Sequence, residues 1–207
     1  MRHELKSNFI FWFFQAQKIV LMMGAFGFAY TILISNWLEQ DLNYMYLVDV
    51  VFPLIIPATH INSYLPMTVG FGSKRTAAVF GIQVMNITVF AEMMIITKLH
   101  NLLFPNLAGA NSKSLFIVMV AMIIGTSLGQ ISGVLLVTLG KRAIFVVVIT
   151  VGALIGAAVM AAILLVNFSS IVLKFGFILA IAAVIIYIAS IAVCVNRIKG
   201  YEVRDVA

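Results

Sequence analysis

The residue types that could perform acid–base, nucleophilic or metal chemistry are few in this chain and widely spaced. It contains three histidines, His3, His60 and His100, and one cysteine, Cys194. No histidine has a second ligand at helical spacing, so no metal site is predicted. Ser63 follows His60 by three residues, a spacing coincidence without the base-and-orienter set of a nucleophilic site. We therefore predict no catalytic residue, and a single cysteine excludes an intrachain disulfide.

Nucleotide-binding motifs are missing from the sequence as well. There is no Walker-type glycine loop, no GxSxG elbow and no GxGxxG following a strand. We expect no cofactor in this chain. Any energy-driven work would have to draw on a separate subunit.

The composition is that of an integral membrane protein. Of 207 residues, 63% are hydrophobic and 10% are charged, and the mean hydropathy is +1.14. Soluble domains carry roughly 25% charged residues. The net charge of +6 would suggest nucleic acid in a soluble protein, but in a membrane protein the position of each charge matters more than the sum. We predict a lipid bilayer as surroundings and no nucleic-acid partner.

The predicted fold is an all-α membrane protein with six transmembrane helices. An N-terminal interfacial amphipathic helix (residues 1–18) precedes a six-helix transmembrane domain (19–195) and a cytoplasmic tail (196–207). Apolar runs of about 20 residues, the length that crosses the hydrocarbon core, are predicted as spans at Ile19–Ser35, Tyr44–Tyr64, Ala77–Thr97, Leu115–Leu139, Ala143–Val166 and Ile171–Val195. Within the second span, Pro53 and Pro57 predict a kink, and Pro66 should help to end the helix.

The N-terminal segment has two interpretations. Helical spacing places five apolar residues on one face: Leu5, Phe9, Trp12, Phe13 and Ala16. A basic-flanked face rich in Phe and Trp is typical of a helix lying in the membrane interface, which is the favoured prediction. The alternative is that this segment simply extends the first span.

The distribution of lysine and arginine predicts the orientation. Ten of the thirteen cations fall on the side that holds both termini, and only Lys98, Lys113 and Lys174 fall on the other. The positive-inside rule therefore places both termini, the turn after the second span and the Lys141–Arg142 turn in the cytoplasm.

Two acids lie within predicted spans, Asp49 and Glu92, and both are expected in the outer third of the membrane. An ionisable residue at that depth faces protein or a watery cavity. We predict a substrate path formed by these acids with Pro53, Pro57, Phe52 and Phe90, and with Met45, Met93 and Met94 as an adaptable apolar surface. The alternative is that both acids are structural and hydrogen-bonded to neighbours.

Small residues recur every four positions in the fourth and fifth spans. The first series is Gly125, Gly129 and Gly133, and the second begins at Gly152 and Gly156. Such spacing lets helix backbones approach closely. The favoured interpretation is packing of the fourth span on the fifth, and the alternative is a homodimer interface.

The segment between the second and third spans is the most specific signal in the chain. It consists of Gly70, Phe71, Gly72, Ser73, Lys74, Arg75 and Thr76. Two glycines relax the backbone, and adjacent cations hold the turn in water. It is either an ordinary cytoplasmic loop or a contact surface on which Lys74 and Arg75 pair with acids and Phe71 fills an apolar pocket.

This turn, followed by Phe80 and Gly81 and set within six spans, resembles the permease subunits of ABC-2-type transporters. The resemblance implies that the turn is a coupling helix docking on a separate ABC ATPase subunit, which binds ATP and Mg. It implies a dimer with a second permease chain, identical or similar, in a bacterial cell membrane. It implies export of an amphipathic peptide or drug. The acids expected on the outer side, Glu39, Asp41, Asp49 and Glu92, favour a cationic one. The family often has a long re-entrant segment between the fifth and sixth spans, where Asn167–Ser170 is short.

Two other classes remain open from the sequence. One is a secondary transporter or channel, which should show inverted repeats or mid-membrane charges. The other is an immunity or scaffold protein that binds a toxin without turnover. Co-purification of an ATPase subunit, and ATP hydrolysis by the solubilised complex, would distinguish the exporter from both.

Overall fold

The computed structural model of the chain describes residues 2–38, 43–70, 74–107, 110–139 and 175–199. Within these ranges every regular element is an α-helix, and there are five long ones: α1 (Arg2–Leu38), α2 (Tyr44–Gly70), α3 (Arg75–Leu103), α4 (Ser112–Leu139) and α5 (Gly176–Lys199). All five are long and apolar enough, by length and composition, to cross a membrane. The chain is therefore a multi-pass membrane protein. The predicted fifth span, 143–166, lies outside the described residues.

Helix α1 corrects the predicted boundary at residue 18. It continues unbroken from Arg2 to Leu38, so a separate interfacial helix is not observed. Trp12 and Ala16, predicted to face the membrane interface, are fully buried in the protein core. Phe9 and Phe13 on the same helix stay exposed. The aromatic face is thus shared between protein packing and the surroundings, and the extension of the first span is the interpretation that agrees with the structure.

Helix α2 begins at Tyr44, as predicted, but does not end at Pro66. It contains Pro53, Pro57 and Pro66 and runs to Gly70. A proline removes one backbone donor and so leaves one carbonyl without its helical partner. Such prolines are tolerated in a bundle because neighbouring helices supply the missing contacts. Pro66 is therefore accommodated inside the helix instead of terminating it.

The boundaries of α3 and α4 are set by local hydrogen bonds. Lys74 is extended and serves as the N-cap of α3 without a side-chain bond, while its carbonyl accepts from Ala77 N and Ala78 N at 2.9 and 3.0 Å. Asn111 Oδ1 accepts from Ser114 N at 2.9 Å, a typical N-cap contact that starts α4. Both helices are longer than predicted. Helix α3 runs past Thr97 to Leu103, and α4 begins at Ser112 instead of Leu115.

The glycine series of α4 packs on α2, whereas the prediction placed it against the fifth span, which lies outside the described residues together with Gly152 and Gly156. A Cβ on Gly133 would lie 2.8 Å from Ile61 Cβ and 3.0 Å from Ala58 O, and one on Gly129 would overlap Leu54 O. Such distances are too short for a real side chain. The close approach predicted from the spacing is therefore confirmed, but the partner is the proline-containing helix α2.

Besides the contact of α4 with α2, the helices meet at two interfaces, one between α1, α2 and α3 and one between α3, α4 and α5. Helix α1 packs on α3 and more lightly on α2, and α5 packs on α4 and more lightly on α3. The core formed between α1, α2 and α3 includes the fully buried side chains of Trp12, Met23, Met45, Met85 and Met93. Helix α5 is the most exposed of the five. These two interfaces hold the polar groups described next.

Candidate functional site

The predicted coupling turn lies at the junction of α2 and α3. Gly70 ends α2, Lys74 is exposed, and Arg75 and Thr76 form the first turn of α3. Phe71, Gly72 and Ser73 lie outside the described residues. Cations at a helix N-terminus are unfavourable because the macrodipole is positive there, and no acid occupies the first turn of α3. An acidic surface brought against this end would reduce that unfavourable field.

An aromatic cluster joins the base of this turn to α1. Trp12 of α1 fits against Gly81 of α3 so closely that a Cβ on Gly81 would overlap the indole ring. The same indole meets Tyr64 of α2 edge-on, with ring centroids 6.2 Å apart. His60 stacks on Tyr64 at 4.9 Å and bonds Ile56 O through Nδ1 at 2.9 Å. The two helices that flank the turn are thus both packed on one tryptophan of α1.

Asp49 lies in a fully enclosed polar contact between α2 and α3. Its Oδ2 accepts from Thr97 Oγ1 at 2.7 Å, and both side chains are 0% exposed. Its Oδ1 has no hydrogen-bond partner. One turn further along α3, His100 Nε2 lies 3.1 Å from Thr31 Oγ1 of α1. This environment makes Asp49 a packing residue of the described interface, with no opening towards a path.

Glu92 occupies a different interface from Asp49. It is half-buried, and Gln17 of α1 donates to its Oε1 at 2.6 Å. Phe52 packs on α1 too, with its ring 6.0 Å from that of Phe26. The structure therefore does not gather Asp49, Glu92 and Phe52 into one cavity.

The other predicted path residues do meet. Pro53, Pro57 and Phe90 line a small cavity between α2, α3 and α4 together with Ile56, Asn86, Val89, Met122 and Thr126. Its accessible space is about 10 Å³, which is near the lower limit for one water molecule. The cavity cannot hold a substrate in this conformation.

A polar cluster that the sequence reasoning missed lies between α3, α4 and α5. The side-chain amides of Gln83 and Gln130 bond each other reciprocally at 3.2 Å in both directions. Tyr187 OH donates to Gln83 Oε1 at 2.8 Å, and Ser190 Oγ lies 3.4 Å from Gln130 Oε1. Two glutamines inside apolar spans were a visible signal, because intramembrane polar residues usually bond across helices. The sequence did not show that residues of α5 would bond these glutamines.

A cleft adjoins this cluster on the side where α3 ends. It has about 170 Å³ of accessible space, and its lining comes from three helices: Asn86, Ile87 and Phe90 of α3, Ile123 and Thr126 of α4, and Val184 and Tyr187 of α5. Asn86 is 5% exposed, and its Nδ2 has no hydrogen-bond partner. A buried amide donor left unpaired costs about 1–3 kcal/mol. Asn86 and Thr126 also border the small cavity, so the two spaces are neighbours.

Groups that could hold a metal are not gathered anywhere in the described ranges: no set of three His, Cys, Asp or Glu side chains converges there. Comparison of the chain with protein-family models, with curated proteins and with solved structures gives no match.

Proposed function

We propose that this chain is the permease subunit of an ABC exporter, driven by a separate ATPase subunit that binds ATP and Mg. The observation that carries the proposal is the construction around the α2–α3 turn. An exposed cation, Lys74, stands where α3 begins, and the two helices leaving the turn are both packed on Trp12 of α1. Force applied to the turn by a partner would reach three spanning helices at once.

The proposed assembly has six spans per chain, both termini in the cytoplasm and two permease chains per complex. Support for a sixth crossing comes from the directions of α4 and α5. The start of α5 meets the start of α4, since a Cβ on Gly176 would lie 3.0 Å from Phe116. Further along both helices, Cys194 Sγ lies 4.0 Å from Gln130 O. The two helices run parallel, so the end of α4 and the start of α5 lie at opposite ends of the bundle, which supports the proposal of a further span between them.

The proposed cargo is an amphipathic peptide or drug, exported across a bacterial cell membrane. A second permease chain is proposed because the two spaces found between the described helices measure about 10 and 170 Å³. Small-molecule sites typically measure about 300–1,000 Å³. A path wide enough for such cargo would then form between two chains, identical or similar.

The test is purification of the tagged chain from its native membrane together with whatever binds it. We expect an ABC ATPase to co-purify, and the reconstituted complex to hydrolyse ATP faster with amphipathic peptide than without. Native mass measurement should give two permease chains and two ATPase subunits. A stable complex without an ATPase, or a chain that alone confers toxin resistance without ATP turnover, would favour an immunity or scaffold role instead.

A further inference from the structure

We propose that the cleft between α3, α4 and α5 binds an uncharged amide group carried on an apolar chain, such as a segment of a hydrophobic peptide. The inference rests on the proposed export function for its biological meaning and adds the chemical class of ligand that this chain recognises. It rests on three observations: the unpaired donor of Asn86, the committed protons of the two hydroxyls beside it, and the apolar, uncharged remainder of the lining.

The first observation is the unpaired donor of Asn86. Asn86 lines both the cleft and the small cavity behind it. It is 95% removed from solvent, being 5% exposed, yet its Nδ2 has no acceptor. In an apolar setting such a donor seeks an oxygen. A ligand carbonyl entering the cleft would supply it.

The second observation is that the neighbouring hydroxyls already donate their protons to other acceptors. Thr126 Oγ1 donates to Met122 O at 2.8 Å, and Tyr187 OH donates to Gln83 Oε1 at 2.8 Å. Each hydroxyl has one proton, so towards the cleft both oxygens can only accept. A ligand N–H would therefore be matched by Thr126 or Tyr187. Carbonyl and N–H together make an amide, whereas an ester offers only the carbonyl.

The third observation concerns charge and shape. Among the described residues, the cleft is lined by no charged side chain, and Ile87, Phe90, Ile123 and Val184 form its walls. A cation would lose its hydration without gaining a counter-ion, so a neutral group is preferred. About 170 Å³ is below the usual volume of a drug site. The cleft therefore holds one amide with its adjacent side chain, and the rest of the ligand stays outside.

The entrance lies between α3 and α5. Ile87 is 56% exposed and Val184 is 46% exposed, and both belong to helices of membrane-spanning length. Exposed apolar residues on such helices face lipid. The ligand thus enters sideways from the bilayer, which suits an amphipathic peptide already dissolved in the membrane.

The test uses the purified full-length chain in lipid nanodiscs and three photoreactive probes of equal length. The first probe is an N-acyl leucine amide. The second is its analogue in which ester oxygens replace every amide N–H, and the third is a quaternary ammonium analogue. Each carries a diazirine on the leucine side chain, and the cross-linked residues are read by mass spectrometry. We expect the amide probe to label α3 and α5 around Ile87 and Val184, with the ester and the cation labelling at least about fivefold less, the factor that one lost hydrogen bond predicts.

Variants assign the effect to individual groups. Asn86→Leu should reduce labelling by the amide and by the ester about fivefold each, because it removes the donor to the carbonyl that both probes carry. Thr126→Val, and not Thr138→Val, should reduce the preference for the amide over the ester. Thr126→Val is compared with Thr138→Val, because both threonines of α4 bond the carbonyl four residues earlier and only Thr126 lines the cleft. If Asn86→Leu does not fold, Val184→Trp, which fills the entrance from another helix, should block labelling equally well.

Equal labelling by the three probes, or amide labelling that persists in both Asn86→Leu and Val184→Trp, would overturn the amide site. The measurement needs no ATPase and no transport. Its failure leaves the ATPase coupling untouched, and absence of an ATPase from the purified complex would leave the probe result standing.

Discussion

Trp12 of α1 and Gly81 of α3 lie in direct contact, with the indole ring occupying the space that a Cβ at position 81 would need. Trp12 is 0% exposed, and the same ring touches Tyr64 of α2. The contact explains Gly81 physically, since any other residue there would displace the side chain on which three helices pack.

The Gly81→Ala variant should therefore destabilise the protein by about 1–3 kcal/mol, the usual cost of overpacking a core. Gly24→Ala is the control, because a Cβ there would lie an ordinary 3.6 Å from Ile96. Unfolding free energies in mixed detergent would be compared. Adding Trp12→Phe should recover part of the loss in Gly81→Ala, and strictly additive effects would contradict direct contact.

The packing of α4 on α2 gives a second prediction with its control on the same helix. Gly129→Ala would drive a methyl group into the backbone carbonyl of Leu54, whereas at Gly125 the nearest atom, Val50 O, lies 3.5 Å away. We expect Gly129→Ala to cost about 1–3 kcal/mol of unfolding free energy. Gly125→Ala should be neutral or stabilising by up to about 1 kcal/mol, since alanine favours a helix. Equal effects would show that α2 does not approach α4 at Gly129.

The enclosed pair of Asp49 and Thr97 should behave as a coupled unit. Thr97→Val removes the hydrogen bond to Asp49 Oδ2 and leaves a buried carboxyl group without it, at a cost of about 1–3 kcal/mol. In an Asp49→Leu background the same Thr97→Val change should cost less than about 1 kcal/mol, because no polar group is left unpaired. A double-mutant cycle of unfolding free energies measures the difference. No coupling would mean that the 2.7 Å contact does not contribute to stability.

The coupling turn can be tested by reversing charge at the start of α3, with the same reversal near the end of α3 as the control. Lys74 and Lys98 are both exposed, but only Lys74 adjoins the turn. Lys74→Glu and Arg75→Glu should slow association with the ATPase about tenfold at low salt, with a smaller effect at high salt. Phe71→Ala combined with Lys74→Glu should abolish substrate-stimulated ATP hydrolysis in a correctly inserted protein. Lys98→Glu should change neither, and equal defects in the two lysine variants would contradict docking at the turn.

Cargo charge is tested best at Glu92. Of the four acids that favour cationic cargo, Glu39 and Asp41 lie outside the described residues, and Asp49 is enclosed. Glu92 is half-buried and therefore keeps some exposed surface. Glu92→Gln should reduce resistance to cationic amphipaths more than to neutral ones, because it removes a negative charge from the proposed outer side of the protein. Asp49→Asn should affect both equally. Equal losses in Glu92→Gln would remove the argument for cationic cargo and leave the export proposal intact.

Hydropathy alone predicted where most of the described helices run. The start of α2 at Tyr44 and the end of α4 at Leu139 were both confirmed. Helix ends next to unusual residues were missed. Pro66 does not stop α2, because a packed bundle tolerates prolines that would end a helix in water. Lys98 does not stop α3, since a long lysine side chain can reach the interface from inside a helix.

Partner choice between helices could not be predicted from spacing. The four-residue repeat of glycines indicated that one face of α4 is small, but not that α2 with its prolines would lie against it. In the same way, Asn86 is one of several polar residues in apolar spans. Only the arrangement of α3, α4 and α5 reveals that Asn86 lines a cleft and that its amide donor has no partner. A periodic pattern identifies a face, and the identity of the neighbour depends on the whole bundle.

The glutamine pair also bears on how the protein is made. A ribosome delivers α3 and α4 to the membrane before α5, and each glutamine would enter lipid with an unpaired amide. Because Gln83 and Gln130 bond each other, one N–H and the oxygen of each amide can pair as soon as α4 has followed α3. Tyr187 of α5 then adds its hydroxyl to an oxygen that is already half occupied. The final contacts thus allow hydrogen bonds to form in the order of synthesis, since Tyr187 can bond Gln83 without opening the glutamine pair.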